Sequence, residues 1–388
     1  MKRILSLVLA LVFLALMCAK NPQKVSAVEY PLKIDAKSAI LMDADTGTVL
    51  YEQNADAPLP PASVTKIMTL LLVMEAIDSG KISLNDQVSV SDDAAKMGGS
   101  QVFLEPGECM SVEEMIKCVV IASANDAAYA LAEHVAGSES AFVQMMNARA
   151  GELGMANTHF ENTNGLDDTV ANHLTSARDI AIMSRELLSH EKIMEYTTIW
   201  QDTIRDGAFT LTNTNRLVRF YPGATGLKTG STSKALFCIS ASAKRDGTHL
   251  IAVVMGAPTR DIRNAEAKKL LDFGFAGYAS YKTEGEALPR VPVQGGKSDT
   301  VALRIAPISL LLKKGEEKRV KVEIHLPEVL SAPIKTDAPI GYAEYTVDGT
   351  VVAKADIFAT EDIAPLSYGD LLYRLFCGMI GAFPATAD

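Results

Sequence analysis

The chain has 388 residues, 48% of them hydrophobic and 22% charged, with a formal net charge of −10. That is a globular composition with room for two domains, and its acidic balance argues against nucleic acid as a partner. No Cys-x-x-Cys, His-Glu-x-x-His or Gly-x-Ser-x-Gly occurs, so the common redox, metalloprotease and α/β-hydrolase readings lose their support, and neither a metal nor a cofactor is implied.

Met1-Lys2-Arg3, an apolar run from Ile4 to Met17, and Val25-Ser26-Ala27 read as the three parts of a secretory signal cleaved after Ala27. The apolar run falls short of the roughly 20 residues that span a bilayer. Removing residues 1–27 takes away four basic residues, leaving 33 basic against 47 acidic and a net charge of −14. The exported chain keeps Cys109, Cys118, Cys238 and Cys377 without framework spacing, and at least three of them sit among apolar residues as buried thiols would.

Ala39 to Met42 and Val49 to Tyr51 flank the Asp43–Gly47 turn as a hairpin. Pro60-Pro61-Ala62-Ser63 opens an apolar helix that runs to Ile77 and stops near Gly80. Ser111-Val112-Glu113-Glu114 is a capping box for a second helix, which delivers Ser123 at its end. Helical periodicity continues in Asp126–Val135, Ala141–Leu153 and Thr175–Leu188. Ala235–Ala243 and Leu250–Met255 read as strands around the Arg245–Thr248 turn, followed by a helix from Asn264 to Phe273. From about Leu288 the pattern is strand throughout, with Val320, Val322, Ile324 and Leu326 alternating with polar residues, and a tight hairpin at Tyr345–Val352. In the last segment Leu372, Leu375, Phe376, Met379, Ile380 and Phe383 share one helical face, while Asp370, Arg374, Cys377 and Gly381 fall elsewhere. That face can lie flat on a membrane surface or dock on the strands before it.

Three polar motifs stand out by their order: Ser63-Val64-Thr65-Lys66, Ser123-Ala124-Asn125 and Lys228-Thr229-Gly230. Ser-x-x-Lys recurs at Ser189/Lys192 and Ser231/Lys234, and Ser83-Leu84-Asn85 repeats the second, so neither is specific alone. Lys-Thr-Gly is expected roughly 0.1 times in a chain this long. A serine hydroxyl is a poor nucleophile until a base takes its proton. Lys66, one helical turn from Ser63 and followed by apolar residues, loses its proton more easily when buried beside another cation such as Lys228. Taken alone, a lysine snorkelling from a core helix is the plainer reading. Ser123 can pass a proton to a leaving amine and Asn125 can hold substrate backbone, although a helix cap explains both in isolation. Lys228 offers charge, Thr229 a hydroxyl, and Gly230 room for a ligand to approach an edge strand, a set suited to a carboxylate-ended substrate. The backbone amides of Ser63 and Ser231 can serve as an oxyanion hole.

With these motifs, Leu104-Glu105-Pro106-Gly107, Asn125-Asp126-Ala127-Ala128, Thr163–Asp167, Ser176-Ala177-Arg178-Asp179 and Gly226–Gly230, the chain resembles a low-molecular-mass penicillin-binding protein of the serine D-alanyl-D-alanine carboxypeptidase type. The resemblance implies a mixed α/β fold: a β-lactamase/transpeptidase-like domain with helices packed on an antiparallel sheet, plus a small all-β C-terminal domain. The corresponding division is a signal at 1–27, a catalytic domain at 28–284, a β-rich domain at 285–362 and an amphipathic tail at 363–388. It implies Ser63 as nucleophile, Lys66 as base, Ser123 and Asn125 on a second wall, Lys228 on a third, and Arg263 on the terminal carboxylate. Ser231 stands where some members have histidine. The implied partners are peptidoglycan stem peptides, β-lactam antibiotics as acylating inhibitors, and a membrane surface for the tail, at the cell wall or the outer face of the membrane. A class A β-lactamase shares the trio but adds a Glu-x-x-x-Asn pair before Lys-Thr-Gly, which is missing between Asn125 and Lys228. The motifs also admit a DD-endopeptidase. A non-catalytic wall-binding scaffold would have no need of both Ser63 and Lys66.

Overall fold

The computed structural model describes residues 32–168 and 170–379. The expected signal segment and Ile380, Gly381 and Phe383 of the tail lie outside the described residues. Every element below belongs to one compact unit that begins at Asp35.

β1 (Ser38–Asp43) and β2 (Val49–Gln53) form the expected hairpin. Its turn is fixed by Asp43 Oδ1, which accepts from the Thr46 backbone at 2.8 Å and the Thr46 hydroxyl at 2.7 Å. A 3₁₀ turn at Ala62–Thr65 leads into α1 (Lys66–Asp78), which is buried on nearly every side and forms the centre of the helical layer. After β3 (Gln87–Ser89), α2 (Asp92–Ala95) and β4 (Cys109–Ser111), α3 (Val112–Lys117) begins at Ser111 with the full capping box to Glu114. A π-helical turn at Cys118–Ala122 then hands over to α4 (Asn125–Ala136), followed by α5 (Glu139–Glu152), α6 (Ala177–Ser189) and α7 (Ile193–Thr197). The hairpin of β5 (Gln201–Ile204) and β6 (Phe209–Thr212) and the short α8 (Leu217–Phe220) complete the cleft side.

β7 (Ala224–Thr232), β8 (Leu236–Arg245) and β9 (Thr248–Ala257) join the first hairpin in an antiparallel sheet of order β2-β1-β9-β8-β7. β9 is buried along its whole length because helices cover both faces. Leu41 and Leu250 meet α9 (Arg260–Gly277) at Gly274 on one face. On the other, Ser240 bonds Ser184 of α6 at 2.8 Å. β7 is the edge strand on the cleft side.

β10 (Tyr278–Thr283) pairs with β13 (Ile308–Lys313). β11 (Ala287–Gln294), β12 (Thr300–Ile305), β14 (Val320–His325), β15 (Leu330–Ser331), β16 (Pro339–Val347) and β17 (Thr350–Ala359) form a second sheet, ordered β14-β16-β17-β12-β11-β15. Val301, Leu303, Tyr345 and Ile357 lie in its core. β14 is an edge strand whose alternation buries little: Val322 is 40% and Ile324 39% exposed. α10 (Tyr368–Met379) is tied to the β11–β12 loop through Arg374, which donates to Asp299 at 2.8 Å and to the Lys297 carbonyl at 3.0 Å, and its Cys377 is buried. Leu372, Leu375, Phe376 and Met379 point outward. Cys118 and Cys238 are also buried, and Cys109 is exposed.

Candidate active site

Ser63 sits on the 3₁₀ turn, held from three sides. A Cβ on Gly230 of β7 would stand 2.8 Å from the Pro61 carbonyl and from the Ser63 nitrogen, so only glycine lets the edge strand lie this close. From the far side Gly165, at φ +86, comes so near Ala62 that a Cβ would be 1.8 Å from the Ala62 oxygen. Beneath, the Thr65 hydroxyl donates to the Ala62 carbonyl at 2.8 Å and meets His173 Nε2 at 2.8 Å. His173 Nδ1 accepts from the Glu161 backbone at 3.0 Å, so Nε2 carries the proton and donates to Thr65. Burial pushes the His173 pKa down to about 4, which keeps this tautomer neutral.

Lys66 opens α1 and is fully buried. Its Nζ lies 3.0 Å from Ser63 Oγ, 2.5 Å from Asn125 Oδ1 and 2.9 Å from the Asn164 carbonyl. Burial holds its pKa well below the ordinary lysine value, and the neighbouring Lys228 lowers it further against the opposing charge of Asp126. The neutral amine keeps two N–H groups, which Asn125 and Asn164 accept; its lone pair is left facing the Ser63 hydroxyl.

The π turn carries Ser123 into the site in a left-handed conformation, φ +63. Ser123 Oγ accepts from Lys228 Nζ at 2.7 Å, and the same amine donates to the Thr229 carbonyl at 3.0 Å. Lys228 is buried, and desolvation followed by the charge of Arg263 brings its pKa down to about 7. Asn125 begins α4, and its Nδ2 donates to the Gly98 carbonyl at 2.6 Å. Both ends of its amide are thus engaged within the protein. The loop that supplies Gly98 is pinned in turn by Asp126, which accepts from the backbones of Val102 and Leu104, each at 3.1 Å.

Thr229 Oγ1 bonds Thr214 Oγ1 at 2.9 Å. The structure brings Ser63, Ser123, Thr229, Gly230, Ser231 and Arg263 to one cleft of about 560 Å³, with Lys66, Asn125 and Lys228 forming its buried floor. Arg263, on α9, spends Nε and Nη2 on Asn264 Oδ1, at 3.1 and 2.9 Å. Sequence reasoning missed Arg216, Arg260 and Trp200, which also line the cleft, because none belongs to a motif. It also missed His173 and the Asn164 carbonyl; the Thr163–Asp167 phrase pointed to that loop without giving its contact.

The chain is similar to proteins of known family along most of its length. The family profile described as D-alanyl-D-alanine carboxypeptidase matches residues 23–259, and that of the penicillin-binding protein 5 C-terminal domain matches 280–365. D-alanyl-D-alanine carboxypeptidase DacF from Bacillus subtilis is 47% identical over 347 residues, 88% of this chain and 89% of that protein. The crystal structure of penicillin binding protein 5 from Haemophilus influenzae aligns with a TM-score of 0.74 at 33% identity, covering 86% of this chain and 99% of that one. Penicillin-Binding Protein D2 from Listeria monocytogenes, in its ampicillin bound form, aligns at a TM-score of 0.58 and 32% identity, over 63% and 100% of the two chains. The fold is that of the penicillin-binding hydrolases, a mixed α/β layer with a C-terminal β domain. The chain belongs to the D-alanyl-D-alanine carboxypeptidase family.

Proposed function

We propose that this carboxypeptidase removes the last D-alanine from peptidoglycan pentapeptide stems through an acyl-enzyme on Ser63. Neutral Lys66 takes the Ser63 proton as the hydroxyl oxygen attacks the carbonyl between the two D-alanines. The backbone amides of Ser63 and Ser231 receive the negative charge of the tetrahedral intermediate. Ser123, bonded to Lys228, relays a proton to the leaving nitrogen; Thr229 and Arg263 hold the terminal carboxylate. Asn125 forms the wall beside the substrate and fixes Lys66. Water then cleaves the ester, and a β-lactam enters the same route as a substrate mimic.

One observation carries this reading: two fixed acceptors occupy the Lys66 N–H groups while its nitrogen lies 3.0 Å from Ser63 Oγ. The test is to incubate the protein with a pentapeptide stem and with a crosslinked dimer and weigh the products. Loss of a single D-alanine per stem from the parent, and none from Ser63→Ala, supports it; undiminished release by Ser63→Ala refutes it. Rapid turnover of penicillin would favour the β-lactamase reading instead. Cleavage of the dimer would add endopeptidase activity.

We further propose a signal at 1–27, a catalytic domain at 28–284, a β-rich domain at 285–362 with β10 bridging the junction, and a tail at 363–388 that attaches the exported enzyme to the outer face of the membrane. Among the described residues no helix is long and apolar enough to cross a membrane. The outward apolar row on α10 supports lying along the surface. Ending the chain before Tyr368 should abolish flotation with lipid vesicles and leave stem hydrolysis intact.

A further inference from the structure

Three arginines, Arg216, Arg260 and Arg263, line the same cleft, and among its described lining residues none is acidic. Among the described residues Arg263 donates through Nε and Nη2 to the neutral Asn264 amide alone. Arg216 and Arg260 are exposed. Their charges reach Arg263: its pKa is brought down to about 10 by burial first, then by Arg260 and also by Arg216, against opposing contributions from Cys238 and Asp261. Like charges gathered at the mouth of a protein of net charge −10 raise the energy of the empty site, and anionic groups relieve it. A single leaving D-alanine brings one carboxylate, which Arg263 and Thr229 accommodate. Two guanidiniums remain.

We infer that Arg216 and Arg260 form a second carboxylate subsite on the leaving-group side of the cleft, so that the enzyme accepts a C-terminal D-residue with an acidic side chain, D-glutamate being the simplest. The inference rests on the proposed function, because that reading assigns the terminal carboxylate to Arg263. The chemistry is otherwise unchanged: the D-Ala-to-D-Glu amide bond breaks, the acyl group passes to Ser63 Oγ, the amine leaves with a proton, and water releases the acyl group. A guanidinium suits this task because it offers a planar pair of donors to a carboxylate and stays charged throughout.

The test compares kcat/KM for three peptides with a common acyl part, ending in D-Ala-D-Ala, D-Ala-D-Glu or D-Ala-D-Gln. D-Gln matches D-Glu in shape without its charge, so their ratio isolates the subsite. The expected D-Glu to D-Gln ratio is about tenfold in the parent, the size of one charge-assisted contact. It should fall towards one in Arg216→Ala, Arg260→Ala and their combination. The ratio is read within each variant, so a general loss of activity cancels. Should a variant fail to fold, the parent ratio at about 0.5 M salt replaces it, and screening should shrink it. A parent ratio near one, or a ratio that survives both substitutions and salt, overturns the subsite while D-Ala-D-Ala cleavage persists. Absence of D-Ala-D-Ala cleavage by the parent instead overturns the proposed function.

Discussion

Gly230 and Ser63 meet through backbone atoms: a Cβ on Gly230 would stand 2.8 Å from the Ser63 nitrogen and 2.9 Å from that of Val64. The space that the sequence reserved for a ligand at Gly230 is filled on this side by the turn that carries Ser63. Gly230→Ala must therefore shift the turn or the edge strand. The expected result is a loss of about 1–3 kcal/mol in stability, as overpacking costs elsewhere. Labelling by fluorescent penicillin should slow at least about tenfold, because a displacement near 1 Å at a reacting atom has a large kinetic effect. Unchanged labelling would show that the strand and the turn are not coupled.

Asn125 offers a direct handle on the proposed base, Lys66. In Asn125→Asp a carboxylate replaces an amide oxygen 2.5 Å from Lys66 Nζ, and an adjacent negative charge favours the ammonium. In the proposed mechanism Lys66 acts when neutral, so activity should rise as pH rises through its depressed pKa. In the variant that rising limb should move to higher pH by about one unit or more. The rate of penicillin labelling between pH 5 and 10 measures it, and a limb that stays in place would mean that another group is titrating.

Lys228 trades stability for charge. Its pKa of about 7 lies below the ordinary 10.5, so between those values the unfolded chain holds more protons than the folded one. Stability then increases with pH across that window, by at most about 1.4 kcal/mol per unit. Lys228→Met removes this burden and leaves the Ser123 hydroxyl without its donor, a smaller loss. At pH 7 the melting temperature should hold or rise, whereas kcat/KM for stem hydrolysis should drop about a hundredfold or more. A fall in melting temperature beyond about 3 °C, the size of a 1 kcal/mol loss in a domain this large, would show that the ammonium stabilises the fold.

His173 works in the opposite pH range. It is held neutral to about 4, against 6.5 for a free histidine. The unfolded chain takes up that proton first, so stability declines as pH falls from about 6.5 towards 4. His249, also brought down to about 4 by burial, adds a parallel loss. His173→Gln should lose about 2 kcal/mol less than the parent between pH 7 and pH 5, at about 1.4 kcal/mol per pH unit. Urea unfolding at the two pH values reads the difference; equal losses would place the His173 proton elsewhere.

The sequence revealed what depends on residue type and short spacing. Ser111 and Glu114 announce their helix because a capping box is local, and both ends of the box are formed. The largely apolar run after Lys66 announced a core helix for a similar reason, although taken alone it favoured a snorkelling lysine over the buried one found. Contacts made by backbone atoms left no such mark. The Asn164 carbonyl that holds Lys66 is 98 positions away, and any residue there would supply the same oxygen. Arg216 and Arg260 gave no signal because a cleft gathers them from α9 and from the segment before α8. The alternation of β14 correctly gave a strand, but alternation alone does not say whether a sheet has a second layer, and Val322 and Ile324 have little cover.

That carbonyl at position 164 bears on how such an enzyme could evade a covalent drug. A codon change can exchange a side chain but cannot delete a peptide oxygen. Weakening this tether would require the whole 161–167 segment to swing away, and its neighbour Gly165 already abuts Ala62 with no room for even a methyl group. Heritable escape is thereby steered towards the rim of the cleft, where exposed side chains such as Arg216 and Arg260 can be exchanged one at a time.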